Sequence, residues 1–204
     1  MTIFYEPPYD SPIEDSFAKH ASKYFSEEVN MEAQVDVHTI CGKFRLDFVV
    51  TDSKGRKTAI ECDGKEFHEK SRDEWRDSMI LGSTDIEEIY RISGKEINYR
   101  IEDVFYTLSI WSPWLFNERQ SYNLSRIATQ ELTLRAPLST DTIYSVNYIE
   151  DNQMNCFYIE KRHKNIPEGK RQFWQSLFKF AQKSGGGHLD DIIASYRSHF
   201  LPKG

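Results

Sequence analysis

Cysteine is scarce in this chain: Cys41, Cys62 and Cys156 are the only three in 204 residues, far apart and in no CxxC pair. That usage excludes a disulfide scaffold or a cysteine-based zinc clip and predicts reduced thiols in a cytoplasmic setting. Long apolar runs are missing too. No stretch approaches the 18 residues of a membrane span, and the start MTIFYEPPYD has neither a basic n-region nor an apolar h-region, so neither a membrane partner nor export by that route is expected. There is no glycine-rich phosphate loop, dinucleotide fingerprint or GxSxG elbow, which leaves ATP use and serine-hydrolase chemistry unsupported. Positive charge is in deficit: 26 Lys and Arg against 32 Asp and Glu, net −6, argue against indiscriminate coating of nucleic acid. The deficit is local. Residues 1–115 carry net −9 and residues 116–204 net +3. A carboxylate surplus suits a solvated surface, and it also suits a site built to hold divalent cations.

Apolar material is sufficient: 39% hydrophobic and 14% aromatic residues offset the chain entropy that would leave a polar polymer disordered. Ser11, Pro12 and Glu14 make a helix start, with Ile13, Phe17, Ala21 and Tyr24 recurring on one face to about Phe25. Three strand-like segments follow, Glu32 to Cys41, Lys43 to Thr51 and Lys57 to Asp63, separated by Gly42 and the turn Asp52-Ser53-Lys54-Gly55. They read as consecutive antiparallel strands. Ser71 with Glu74 signals a second helix ending at Gly82, Glu88 to Ser93 a fourth strand, and Ile101 to Trp111 a third helix closed by Pro113. The order is α-β-β-β-α-β-α. Beyond it, Ser121 to Arg135 reads as helical, Thr142 to Arg162 as two strands about Glu150-Asp151-Asn152, and Arg171 to Lys183 and Leu189 to Phe200 as helices. Residues 1–115 are thus expected to form an α/β core and 116–204 an α+β extension.

Strand alternation carries the chemical argument. Phe44, Leu46, Phe48 and Val50 are expected on one face of their strand, which turns Asp47 to the other. Glu61 and Asp63 alternate in the same way against Ile60 and Cys62. Pairing these strands would bring three carboxylates together. Two like charges at about 4 Å repel by roughly 4 kcal/mol at an effective dielectric of 20, so the cluster calls for a cation, a shared proton or water. Magnesium or manganese suits hard oxygen ligands with open positions. The strand runs on through Gly64 toward His68, a candidate general base or phosphate donor, and a helix with Asp73 and Asp77 four apart.

Ser11-Pro12-Ile13-Glu14, Arg45-Leu46-Asp47-Phe48-Val49-Val50, Ile60-Glu61-Cys62-Asp63-Gly64 with His68, Asp73 with Arg76-Asp77, and Tyr90-Arg91-Ile92 together resemble the very-short-patch-repair (Vsr-like) branch of the PD-(D/E)XK nucleases. The resemblance covers about residues 11–112. It implies a restriction-endonuclease-like core, a mixed sheet flanked by helices, that cuts phosphodiester bonds with magnesium. It further implies that Asp47 is the central metal-binding aspartate, Glu61 the acidic residue of the ExK half-motif and the Cys62 carbonyl an additional ligand. By the same resemblance Glu14 supports the metal site, His68 activates water or contacts the scissile phosphate, and Asp73 and Asp77 are acidic positions of the following helix. Arg76 holds them or touches the DNA backbone. Asp63 stands where ExK has lysine, removing a cation that would stabilise developing charge; the Vsr-like branch tends to lack that lysine and to rely on histidine. No cysteine and histidine cluster matches the structural zinc of the mismatch-repair enzymes.

Lys161, Arg162, Lys164, Lys170 and Arg171 are the candidates for phosphate contact outside the site, with a solvated hairpin end as the alternative. The expected activity is a magnesium- or manganese-dependent endonuclease on DNA. The rivals are a catalytically inactive nuclease scaffold that binds DNA or protein, and an RNA-directed nuclease. A double-strand cutter would favour a homodimer, with the C-terminal half as interface or DNA clamp.

Overall fold

A computed structural model of the protein describes residues 6–64, 70–150, 152–165 and 173–200. Helix α1 (Pro12–Tyr24) starts where the capping pattern puts it: the Ser11 hydroxyl accepts the Glu14 N–H and donates to the Glu14 carboxylate at 2.6 Å. Strands β1 (Asn30–Thr39), β2 (Gly42–Thr51) and β3 (Lys57–Asp63) follow as an antiparallel meander. Helix α2 (Lys70–Ser83) then crosses to β4 (Ile86–Ser93), which runs parallel to β3. Next come α3 (Gly94–Tyr99), α4 (Ile101–Trp111), a single 3-10 turn at Pro113–Leu115, α5 (Glu118–Ile127) and α6 (Gln130–Leu134). The hairpin of β5 (Ile143–Glu150) and β6 (Gln153–His163) precedes α7 (Phe173–Lys183) and α8 (Leu189–Phe200).

Strand β6 pairs antiparallel with β4, which completes a six-stranded mixed sheet in the order β1-β2-β3-β4-β6-β5. The architecture is α/β, with helices on both faces. One face buries Phe48, Val50, Ile60, Tyr90, Ile92, Phe157 and Ile159 under α1 and α4; the other buries Leu46, Val49, Ala59 and Ile89 under α2, with α7 and α8 outside it. Among the described residues no helix is long and apolar enough to cross a membrane.

Several local expectations change. Ser71 lies inside the first turn of α2, not before it. Gly82 does not end that helix, which runs to Ser83; a Cβ there would meet the Phe178 ring at 2.2 Å, so the glycine is what lets α7 lie against α2. The turn expected at Ser93-Gly94 is the capped start of α3, since the Ser93 hydroxyl accepts from the Glu96 N–H and donates to its carboxylate. The helix expected over 121–135 is two helices. Asp103 of α4 accepts the N–H and the hydroxyl of Thr129 at 2.7 and 2.8 Å and so caps the second.

The largest correction concerns the faces of β2. Phe48 and Val50 pack on the α1 side, while Phe44 and Leu46 pack on the α2 side. Strand β1 changes face in step, with Met31 on the α1 side and Val35 and Val37 on the other. The register is unchanged across the switch, Ala33↔Phe48 before it and Val35↔Leu46 after it. Between them the ladder skips Gln34, whose φ is +55, and Asp47. A left-handed residue rolls the ribbon over without inserting or deleting a residue, so period-2 alternation cannot reveal the switch.

Candidate active site at the fork of the sheet

Pairing between β2 and β3 ends at Phe48↔Ile60, although β1–β2 pairing continues to Thr39↔Gly42 and β3–β4 pairing to Asp63↔Ser93. Beyond that point residues 42–46 stay with β1, residues 61–63 stay with β4, and the sheet forks. A fork leaves backbone groups without ladder partners, and buried backbone groups must find others. Asp47 supplies one, accepting the Cys62 N–H on its Oδ2 at 2.7 Å. Arg76 of α2 supplies another, donating to the Arg45 carbonyl at 2.6 Å while both its terminal nitrogens bond the Glu61 carboxylate at 2.9 and 3.1 Å.

A lattice of arginines and acids extends from Glu61. Arg91 of β4 donates to Asp63 at 2.8 Å and to both oxygens of Asp77 at 2.8 and 3.0 Å, and stands 3.6 Å from Asp73. Arg162 of β6 reaches Asp77 at 2.7 Å. Asp77 is fully buried, and the guanidiniums hold its carboxyl below the usual range against the opposing effect of burial. The i, i+4 spacing of Asp73 and Asp77 does bring both to one partner, and that partner is Arg91.

Asp47 has no such partner among the described residues. Among the described residues the Cys62 N–H is the only hydrogen bond it receives, and burial raises its pKa to about 6, with Glu14 and Asp63 adding like charge and Arg76 pulling the other way. Burial likewise raises Glu61 to about 7 against Arg76. Burial pushes the Cys62 thiol well up, and the surrounding carboxylates Asp47, Glu14, Glu61 and Asp63 add to it. Glu14 is buried, with the Ser11 hydroxyl on one oxygen and the Gln34 amide on the other at 2.6 Å.

The fork thus brings Glu14, Asp47, Glu61, Cys62 and Asp63 together, with Arg76, Asp73 and Asp77 behind them. Among the described residues no group of three His, Cys, Asp or Glu side chains forms a ready metal-ligand set. His68, Lys170 and Arg171 lie outside the described residues. The expectation of a phosphate-facing stretch at 161–164 is corrected. Lys161 is 4% exposed, donates to the Ser139 carbonyl at 2.7 Å and lies over the Trp111 ring. Arg162 faces Asp77 on the opposite side, and Lys164 donates to the Thr84 carbonyl. Strand alternation sends Lys161 and Arg162 to opposite faces, where Lys161 finds a carbonyl and Arg162 a carboxylate counter-ion. Arg76 is likewise committed to Glu61 and Arg45, not to an outside phosphate.

Gln34 is the site residue that sequence reading did not name; Arg91 was read only as part of a strand motif and Arg162 only as a phosphate contact outside the site. Nothing near Gln34 marks a left-handed position, since it is neither glycine nor asparagine. Comparison of the chain with models of known protein families, with curated proteins and with solved structures finds no match.

Proposed function

We propose that the chain is a metal-dependent endonuclease that hydrolyses DNA phosphodiester bonds, on a restriction-endonuclease-like core of the Vsr-like kind. The α-β-β-β-α-β order and the mixed sheet support the core. One observation carries the activity: Asp47 is a half-buried carboxylate at a fork between strands, beside Glu14 and Asp63, with a backbone N–H as its only hydrogen-bond partner among the described residues. Desolvated like charges of this kind call for a cation.

The donor chemistry fits a hard divalent ion. Among the described residues Asp47 keeps one oxygen without a donor, and Glu61, although bound twice by Arg76, has further lone pairs on both oxygens. Asp47 and Glu61 would hold magnesium or manganese together with the Cys62 carbonyl. The ion, when bound, lowers the pKa of water and neutralises charge on the phosphate. Asp47 is aimed by the Cys62 N–H, Glu61 is aimed by Arg76, and Arg91 takes up the charge of Asp63 at the position of the missing lysine. His68 is the base in this reading.

Supercoiled plasmid and single-stranded DNA, incubated with the protein in magnesium, manganese or chelator, test the proposal, with an RNA competitor to set the polymer. Metal-dependent nicking that disappears in Asp47→Asn is the expected result. Nicking retained by a folded Asp47→Asn protein overturns it. The arginine pairing of Glu61, Asp63 and Asp77 favours a second reading, a binding scaffold in which guanidiniums stand in for the ion. DNA binding by the parent protein with no cleavage and no manganese uptake would select that reading.

A further inference from the structure

We propose that Gln34 is the positioning residue of this site: its left-handed backbone and its amide together hold Glu14 and set Asp47 at the fork. The inference rests on the metal-dependent reading above. Three observations meet at this residue. Its φ is +55 in the middle of a ten-residue strand, a conformation that glutamine resists and glycine does not. Both β1 and β2 change faces where the ladder skips Gln34 and Asp47, while the register on either side stays intact. Its Nε2 donates to Glu14 Oε2 at 2.6 Å, which ties β1 to α1 across twenty residues of chain.

Chemistry orients the amide. Glu14 receives a hydroxyl on one oxygen and Gln34 on the other; a carboxylate only accepts, so the amide nitrogen faces Glu14 and the amide carbonyl is left over. That carbonyl is a neutral hard oxygen on the amide that bonds Glu14, a donor type that divalent cations accept directly or through water. If the bend alone mattered, glycine would serve better at this position. Glutamine accepts the unfavourable backbone and contributes a side chain to the acidic group.

Gln34→Gly separates the two roles, because glycine keeps the backbone conformation without resistance and removes the amide. The variant and the parent are compared by thermal melting in chelator, by calorimetric titration with manganese, and by plasmid nicking. The expected variant melts at or above the parent temperature, binds manganese at least tenfold more weakly, and nicks with kcat reduced at least tenfold at an unchanged KM for DNA. Parent-like manganese binding and nicking overturn the proposal. A variant that melts well below the parent also overturns it, because Gln34 is then a residue of the fold. A parent protein that neither binds manganese nor nicks DNA overturns the metal-dependent reading itself, an outcome distinct from the other two.

Discussion

At the scale of single residues, the charge state of Asp47 sets two measurable quantities against each other. Its folded pKa, about 6, lies above the ordinary aspartate value, so the native state holds the proton more tightly than the unfolded chain. The stability this contributes is full below about pH 4 and is lost as pH rises through about 6. Asp47→Asn keeps an acceptor for the Cys62 N–H and removes the charge. In chelator its advantage over the parent in urea unfolding should grow from near zero at pH 4 to about 2–3 kcal/mol at pH 8, two pKa units at about 1.4 kcal/mol each. Manganese at pH 8 should raise the melting temperature of the parent and leave that of the variant unchanged. Asp77 behaves oppositely. It is fully buried between Arg91 and Arg162, and Asp77→Ala leaves both guanidiniums without it, so denaturant unfolding should show a loss of about 3–5 kcal/mol.

At the scale of elements, the fork and the packing of α2 depend on each other. Arg76 reaches the site only because α2 lies across β2 and β3, with Met79, Ile80 and Leu81 buried beneath it or against α7. Helix α7 in turn approaches α2 through Gly82, where the Phe178 ring occupies the space of a side chain. Gly82→Ala should cost about 1–3 kcal/mol by forcing the helices apart, read as a lower urea midpoint, and amide exchange should quicken along α7 before it does along β3. The capping signals at Ser11 and the turn at Asp52 and Gly55 were legible because they act within a few residues. The role of Gly82 was not, since Phe178 lies almost a hundred residues away in sequence.

At the scale of the molecule, the hairpin makes the sheet continuous across the two halves of the chain. Strand β6 satisfies the free edge of β4, Tyr144, Val146, Phe157 and Ile159 join the core on the α1 side, and Arg162 closes the ion lattice around Asp77. A fragment of residues 1–115 would expose that edge and the core surface that the hairpin, α7 and α8 cover. It should fail to unfold cooperatively in circular dichroism melts, in contrast to the full chain. The charge asymmetry is interpretable on the same scale: the acidic first half supplies all the carboxylates of the fork, and Arg162 from the basic second half offsets part of them.

The sequence by itself determined the order of the strands, those that carry Asp47, Glu61 and Asp63 among them, and the capped helix that carries Glu14, because these follow from local periodicity and short-range hydrogen bonds. Only the tertiary structure decided what those carboxylates meet. The face switch at Gln34 and Asp47 preserves the alternation of the sequence while reversing its meaning, and the basic residues at 161–164 are drawn inward by Asp77, Ser139 and Thr84, partners distant along the chain. Charge pairing across a sheet is fixed by which strands lie side by side, and that choice is made by burying both faces at once.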